Sequence, residues 1–114
     1  MRIIDRPTFL ALPPGTVFAK YQPCVFGDLA IKGETSANDF QVQSLIPWFT
    51  TTTGMDYFDQ LEAVTAGEPS PPLDYDCTGR DGLYDADQLF AVFERSDHEA
   101  LIARLQLALT EQAP

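Results

Sequence analysis

The alternation of hydrophobic and polar residues along the chain predicts four strands. Thr16–Tyr21 is rich in β-branched and aromatic residues, and Phe26–Lys32 places its apolar residues on one face. Phe40–Ile46 alternates apolar residues with glutamine, which is typical of a strand with one face in water. The short connections between these three strands favour an antiparallel meander. The fourth strand, Gln88–Glu94, is apolar on both faces, which predicts a central or covered position.

Helical signals lie at the start, in the middle and at the end of the chain. Asp5 ahead of Pro7 is typical of a helix N-terminus and predicts a short helical turn to about Leu12. Apolar residues at helical spacing predict a helix over 55–66. Ser96–Glu99 has the pattern of a capping box. An apolar stripe follows that box, made of Leu101, Leu105, Ala108 and Leu109, with Ile102 beside it.

Together these elements predict one α+β domain over residues 1–114. We expect an antiparallel sheet of about four strands packed against two helices, with the short helical turn at the N-terminus. An irregular, proline-containing acidic loop over 68–87 separates the middle helix from the fourth strand.

The net charge of −10 is concentrated in one segment of the sequence. Residues 1–55 and residues 100–114 are each neutral, and the whole excess of acidic residues lies in 56–99. Such a field repels nucleic acid and anionic membranes and attracts cationic surfaces. We therefore expect no direct binding of nucleic acid and no membrane partner. The alternative is that the acidic segment serves only solubility.

The two cysteines, Cys24 and Cys77, lie far apart in sequence. No apolar run resembles a signal peptide or is long enough to cross a bilayer. The sequence therefore predicts a cytoplasmic protein with two free thiols, and a Cys24–Cys77 disulfide is the alternative.

The sequence predicts no catalytic apparatus and no cofactor. His98 is the only histidine, and its place in the first turn of the last helix is typical of a surface residue. No glycine-rich phosphate loop is present, and the histidine and cysteines lack zinc-ligand spacing. A calcium loop is a secondary candidate on the spacing of Asp74, Asp76, Thr78 and Asp85.

Two sets of residues are candidate binding sites. Carboxylates and tyrosines of the acidic loop are typical of a protein-binding surface, and the predicted set is Asp74, Asp76, Asp81, Asp85, Asp87, Tyr75 and Tyr84. The alternative set combines lysines with aromatic residues, which can hold a nucleotide-like anion by charge and stacking. Its members are Lys20, Tyr21, Lys32 and Trp48.

Five segments, which together make up about a third of the chain, resemble small accessory proteins of tailed bacteriophages. They are Leu12–Phe18, Phe26–Thr35, Asn38–Phe40, Gln88–Glu94 and Ser96–Leu105. The resemblance implies a viral anti-defence or host-takeover protein that works in the host cytoplasm. Such proteins act by binding a host protein, by mimicking the charge of DNA, or by sequestering a signalling nucleotide.

The leading hypothesis is a non-enzymatic inhibitor that occupies a basic, nucleic-acid-type site on a host protein. The alternative is a small-ligand binder that sequesters a nucleotide-like signalling anion. A third hypothesis is an enzyme that uses clustered carboxylates, with or without a divalent metal. The sequence leaves a homo-oligomer open.

Overall fold

The chain forms an antiparallel sheet accompanied by helices, which confirms the α+β class. A computed structural model describes residues 1–45, 49, 57–76 and 79–113. Within these ranges the elements in chain order are β1 (Arg2–Ile4), α1 (Arg6–Leu10), β2 (Val17–Gln22), β3 (Val25–Ser36), β4 (Asp39–Ser44), α2 (Tyr57–Thr65), β5 (Gly79–Arg80), β6 (Leu89–Val92) and α3 (Arg95–Glu111).

The described strands form one sheet in the order β1-β6-β2-β3-β4-β5. The predicted meander of β2, β3 and β4 is confirmed, and so is the central position of β6, which pairs with both β1 and β2. The predicted count of four strands is too low, because β1 and β5 were not expected. These two strands have three and two residues, too few for a periodic pattern to be visible.

Four phenylalanine rings form the centre of the core between α1 and one face of the sheet. Phe9 of α1 stacks on Phe90 of β6, with ring centroids 3.9 Å apart. The same ring meets Phe18 and Phe40 edge-on, at 4.7 and 5.0 Å. All four rings are buried. This cluster joins α1 to three strands that are distant in sequence.

The start of α1 follows the sequence prediction. The side chain of Asp5 accepts a hydrogen bond from the backbone N–H of Thr8 at 3.0 Å, and Pro7 lies in the first turn. A carboxylate at this position satisfies one of the N–H groups that a helix leaves unpaired at its N-terminus. The cap therefore fixes the point at which the chain turns to bring Phe9 over the sheet.

Helix α3 differs from its prediction in two ways. It begins at Arg95, so the residue before the helix is Glu94, whose backbone N–H donates to the side chain of Asp97 at 2.9 Å. The capping box was therefore predicted two residues too late. The apolar stripe was expected to pack on the sheet, yet no residue of α3 is buried.

The middle helix, α2, occupies most of the range predicted for it. It spans Tyr57–Thr65, and the predicted start at Met55 lies outside the described residues. Gln60 is its buried residue. Among the described residues, no helix has both the length and the apolar character needed to cross a membrane.

Candidate binding surface on the acidic loop

Every basic side chain of the chain has a partner within the molecule. Arg2, Arg95 and Arg104 form surface ion pairs with Glu94, Glu99 and Glu111. The remaining four, Arg6, Lys20, Lys32 and Arg80, are held by carboxylates or carbonyl groups near the sheet. Asp81 apart, the described carboxylates of the acidic loop have no lysine or arginine as partner.

Asp81 is the first of two points at which the acidic loop is fastened to the sheet. Its carboxylate lies 2.6 Å from the ammonium of Lys20 and 3.8 Å from the guanidinium of Arg6. The side chain is only 6% exposed. Arg6 also donates to the carbonyl of Asn38 at 2.7 Å. Asp81 was predicted to contact a partner, but its carboxylate is committed to this internal ion-pair cluster.

Asp39, at the start of β4, is the second point of attachment. One carboxylate oxygen accepts the backbone N–H of Gly82, and the other accepts the Nε–H of Arg80, both at 3.0 Å. The Gly82 N–H is the main cause that lowers the pKa of Asp39, and the Arg80 guanidinium acts in the same direction against the effect of desolvation. The backbone N–H of Asp81 donates to the carbonyl of Phe40 at 3.0 Å. Residues 80–82 are thus fixed against β4 by both side chain and backbone.

The other predicted carboxylates of the loop face outward. Asp76, Asp85 and Asp87 are exposed and Asp74 is half-buried, and none of the four forms an ion pair. The side chain of Asp74 accepts the N–H of Asp76 at 2.8 Å, and that of Asp85 accepts the N–H of Asp87 at 2.9 Å. Each short turn directs carboxylates to solvent without a cation beside them.

The two predicted tyrosines of this surface are exposed. Tyr75 and Tyr84 have 54% and 44% of their surface accessible. The hydroxyl of Tyr84 accepts a hydrogen bond from the guanidinium of Arg80, and both side chains line a cavity of about 280 Å³ beside Asp39. Tyr84 therefore lies next to the attached residues 80–82, and Asp85 and Asp87 follow it closely in the chain.

Lys32 of the alternative ligand set is a structural residue. It is 1% exposed, and its ammonium donates to the carbonyls of Leu12 and Gly33 and to the hydroxyl of Thr35, at 2.9, 3.1 and 2.7 Å. Burial lowers the pKa of Lys32, while the negative charge of Glu34 opposes that shift. The Lys32 ammonium therefore links the Leu12 turn to β3, and its donors are used by oxygens of the protein itself.

Lys20 and Tyr21 do lie together, beside a cavity of about 230 Å³ that Gln22 and Gln88 also line. The charge of Lys20 is already matched by Asp81, as described above. Lys32 does not line this cavity, and Trp48 lies outside the described residues. The structure therefore brings together two of the four residues of the alternative set.

The calcium-loop candidate is interrupted by a strand. Gly79, which takes the place of the turning glycine in that pattern, belongs to β5 and pairs with Val42 of β4. Thr78 lies outside the described residues. Among the residues that are described, no three acidic, histidine or cysteine side chains are grouped so that they could hold a metal ion.

The remaining candidate groups are dispersed. His98 is half-buried in the first turn of α3 and lines a cavity of about 410 Å³ next to Gly15 and Thr16. Cys24 is an exposed free thiol in the turn between β2 and β3. Cys77 lies outside the described residues.

The sequence reasoning did not identify Arg6 or Asp39 as parts of this surface. Both are buried charged residues, and both are separated from the loop by about 40 or more positions. One available signal was Arg80, because it is the only cation within the acidic loop 68–87 and attracts carboxylates. The Asp81-Gly82 pair was a second signal, since it is typical of a tight turn.

Fold and surface together define an α+β protein that carries an acidic loop fastened to one edge of an antiparallel sheet. Comparison of the chain with protein-family models, with curated proteins and with solved structures finds no match.

Proposed function

We propose that this protein is a small, non-enzymatic inhibitor that presents its acidic loop to a basic, nucleic-acid-type site on a host protein. The observation that carries the proposal is the contrast between the paired and the unpaired carboxylates. Asp39 and Asp81 bind the loop to the sheet, whereas Asp74, Asp76, Asp85 and Asp87 have no cation partner. The phage anti-defence or host-takeover role belongs to the same proposal.

The attachment of residues 80–82 to the sheet supports binding by a preformed surface. A loop that is already ordered loses less conformational entropy when it binds than a free acidic tail does. Carboxylates in fixed positions can also match the spacing of lysines and arginines that normally hold phosphates. Tyr75 and Tyr84 add exposed aromatic area, which is enriched in protein interfaces.

The small-ligand alternative has less support. It needs lysine ammonium groups that are free to meet an anion, whereas Lys20 is paired with Asp81 and Lys32 donates to three oxygens of the protein. The cavity beside Lys20 and Tyr21 would have to accept its ligand without a net positive charge.

A pair of charge-matched variants tests the proposed function. Asp76→Asn with Asp87→Asn removes two exposed loop carboxylates, and Asp28→Asn with Glu34→Gln removes two exposed carboxylates from the neutral half. Both double variants change the net charge of −10 by the same two units. The protein that the wild type captures from host lysate is identified and purified, and its affinity for the three forms is then measured by calorimetry.

We expect the loop variant to lose about tenfold or more in affinity, equivalent to about 1.4 kcal/mol, and the control variant to bind as the wild type does. Affinity for the wild type should fall as NaCl rises, and DNA should compete for the partner. Equal losses in the two variants would show that only total charge matters. Unchanged binding of both would reject the loop as the binding surface.

A further inference from the structure

Helix α3 is a long helix whose first turn contacts the body of the protein, where Asp97 pairs with the Met1 amino group and His98 lines a cavity beside Gly15. It has 17 residues, and none of them is buried. Most helical stability in proteins comes from packing an apolar face against other elements, and intrinsic helix propensity contributes less. An apolar face that the described residues leave exposed therefore needs an explanation.

The exposed apolar residues of α3 form a continuous stripe. Ile102, Leu105 and Leu109 are spaced three and four residues apart, and they are 45%, 62% and 65% exposed. Leu101 and Ala108 widen the stripe on one side. Leu107 is 53% exposed but lies on the opposite face, since two residues correspond to about 200° of helical rotation. Arg104 and Glu111 lie on the side of the helix that faces away from the stripe.

We propose that this stripe pairs with the same stripe of a second copy of the chain, with the two α3 helices antiparallel. In that arrangement Ile102 meets Leu105 of the other copy, and His98 meets Leu109 of the other copy, in each case twice by symmetry. Leu101 then faces the small side chain of Ala108 of the other copy. The stripe is thus complementary to itself, as a two-fold symmetric interface requires.

The distribution of charge selects both the partner and the orientation. The part of α3 that carries the stripe is neutral, because Arg104 and Glu111 pair with each other at 2.8 Å, so it offers no attraction to a strongly charged partner. The excess of negative charge lies before residue 100, at the N-terminal end of the helix. A parallel pair would bring the two acidic bodies side by side. An antiparallel pair separates them by about the 25 Å length of the helix, roughly three Debye lengths at physiological salt.

Light scattering coupled to size exclusion, together with sedimentation equilibrium, tests the proposal on the full chain. We expect the wild type to have about twice the 12.6 kDa mass of one chain. Leu105→Glu should give the single-chain mass, whereas Leu107→Glu, an equal change on the opposite face, should leave the dimer intact. Far-UV circular dichroism shows whether each variant remains folded, and Leu105→Ala serves as a milder variant that should weaken dimerisation by about tenfold or more.

The orientation is tested with spin labels at Thr110→Cys after Cys24 and Cys77 are changed to serine. The proposal expects the two labelled backbones to be about 20 Å apart along the helix pair, and a parallel pair would place them about 10 Å apart. A single-chain mass for the wild type at several hundred micromolar would overturn the proposal, and so would equal behaviour of the two glutamate variants. Monomeric protein that binds lipid vesicles through Leu105 would also overturn it, because a membrane would then be the occupant of the stripe.

Salt separates this proposal from the function of the acidic loop. Dimerisation through an apolar stripe should be unchanged or strengthened when NaCl rises, because repulsion between two acidic bodies is screened. Partner capture by the loop should weaken over the same range. A dimer that dissociates in salt would contradict the stripe as the interface and would leave the loop proposal standing.

Discussion

At the residue scale, Asp39 shows how one buried carboxylate organises a distant loop. Its two oxygens accept hydrogen bonds from Gly82 and Arg80, which lie about 40 positions later in the chain. The ionised form of Asp39 is the one that these donors stabilise, so the attachment of the loop depends on that carboxylate staying charged.

Replacement of Asp39 by asparagine should therefore have a pH-dependent effect on stability. Because the folded protein lowers the pKa of Asp39 below its ordinary value of 3.8, the stabilisation is complete above that value and is lost as pH falls through the lowered folded value. Urea unfolding should show Asp39→Asn to be less stable than the wild type at pH 7, and the difference should shrink below pH 4. Asp28→Asn, at an exposed position, should show no such trend. A difference that is constant with pH would contradict the assignment.

The residue scale is also where prediction from sequence was weakest. Asp76 and Asp81 are the same residue type in the same acidic loop, yet one is exposed and the other is held by Lys20 and Arg6. Lys20 lies 61 positions before Asp81, and local pattern contains no information about contacts at that distance. Lys32 was assigned to a ligand for the same reason, because its burial results from the turn at Leu12 folding back over β3.

At the scale of elements, α1 contributes far more to the stability of the fold than its five residues suggest. It is too short to be stable alone, and it is retained because Phe9 packs against rings from β2, β4 and β6. The packing of this one side chain links the first residues of the chain to the sheet.

Removal of that ring should be among the most damaging single changes in the protein. Phe9→Ala is expected to lower the free energy of unfolding by about 3–5 kcal/mol, because it leaves a cavity among four packed rings. Phe58→Ala, at a position that is 73% exposed in α2, should change it by less than about 0.5 kcal/mol. Urea denaturation of both variants measures the two values, and a similar loss in each would show that Phe9 is not central to the core.

Elements with a clear repeat of apolar and polar residues were predicted well, and elements without such a repeat were not. The alternation in β2, β3 and β4 and the two-sided apolar run of β6 identified four strands of the sheet. The strands β1 and β5 cannot be recognised from their own few residues. Each is defined by the strand with which it pairs, β6 for β1 and β4 for β5. The stripe of α3 was read correctly as apolar, but sequence cannot distinguish a face that packs inside the chain from one that is left exposed.

At the scale of the whole molecule, the net charge of −10 affects both the stability of the fold and the encounter with partners. All positive side chains are used internally, so the excess carboxylates repel one another without compensation. Self-repulsion of this kind destabilises the compact state and is screened by salt.

The melting temperature should therefore rise between about 10 and 300 mM NaCl, over which the Debye length shrinks from about 30 Å to below 8 Å. Scanning fluorimetry at two protein concentrations separates this effect from any contribution of association. Asp76→Asn with Asp87→Asn should melt higher than the wild type at low salt and gain less from added NaCl. A melting temperature that falls with salt would mean that the internal ion pairs outweigh the repulsion.

The commitment of both lysines to internal contacts also determines how the folded protein can be chemically modified. Lys32 is enclosed, and Lys20 is partly covered beside Asp81, so enzymes that tag lysine meet a single, partly accessible lysine side chain. Coupling at Lys20 would disturb the attachment of the acidic loop. The exposed thiol of Cys24, in the turn between β2 and β3, offers a handle for immobilisation that leaves the lysine contacts of the loop in place.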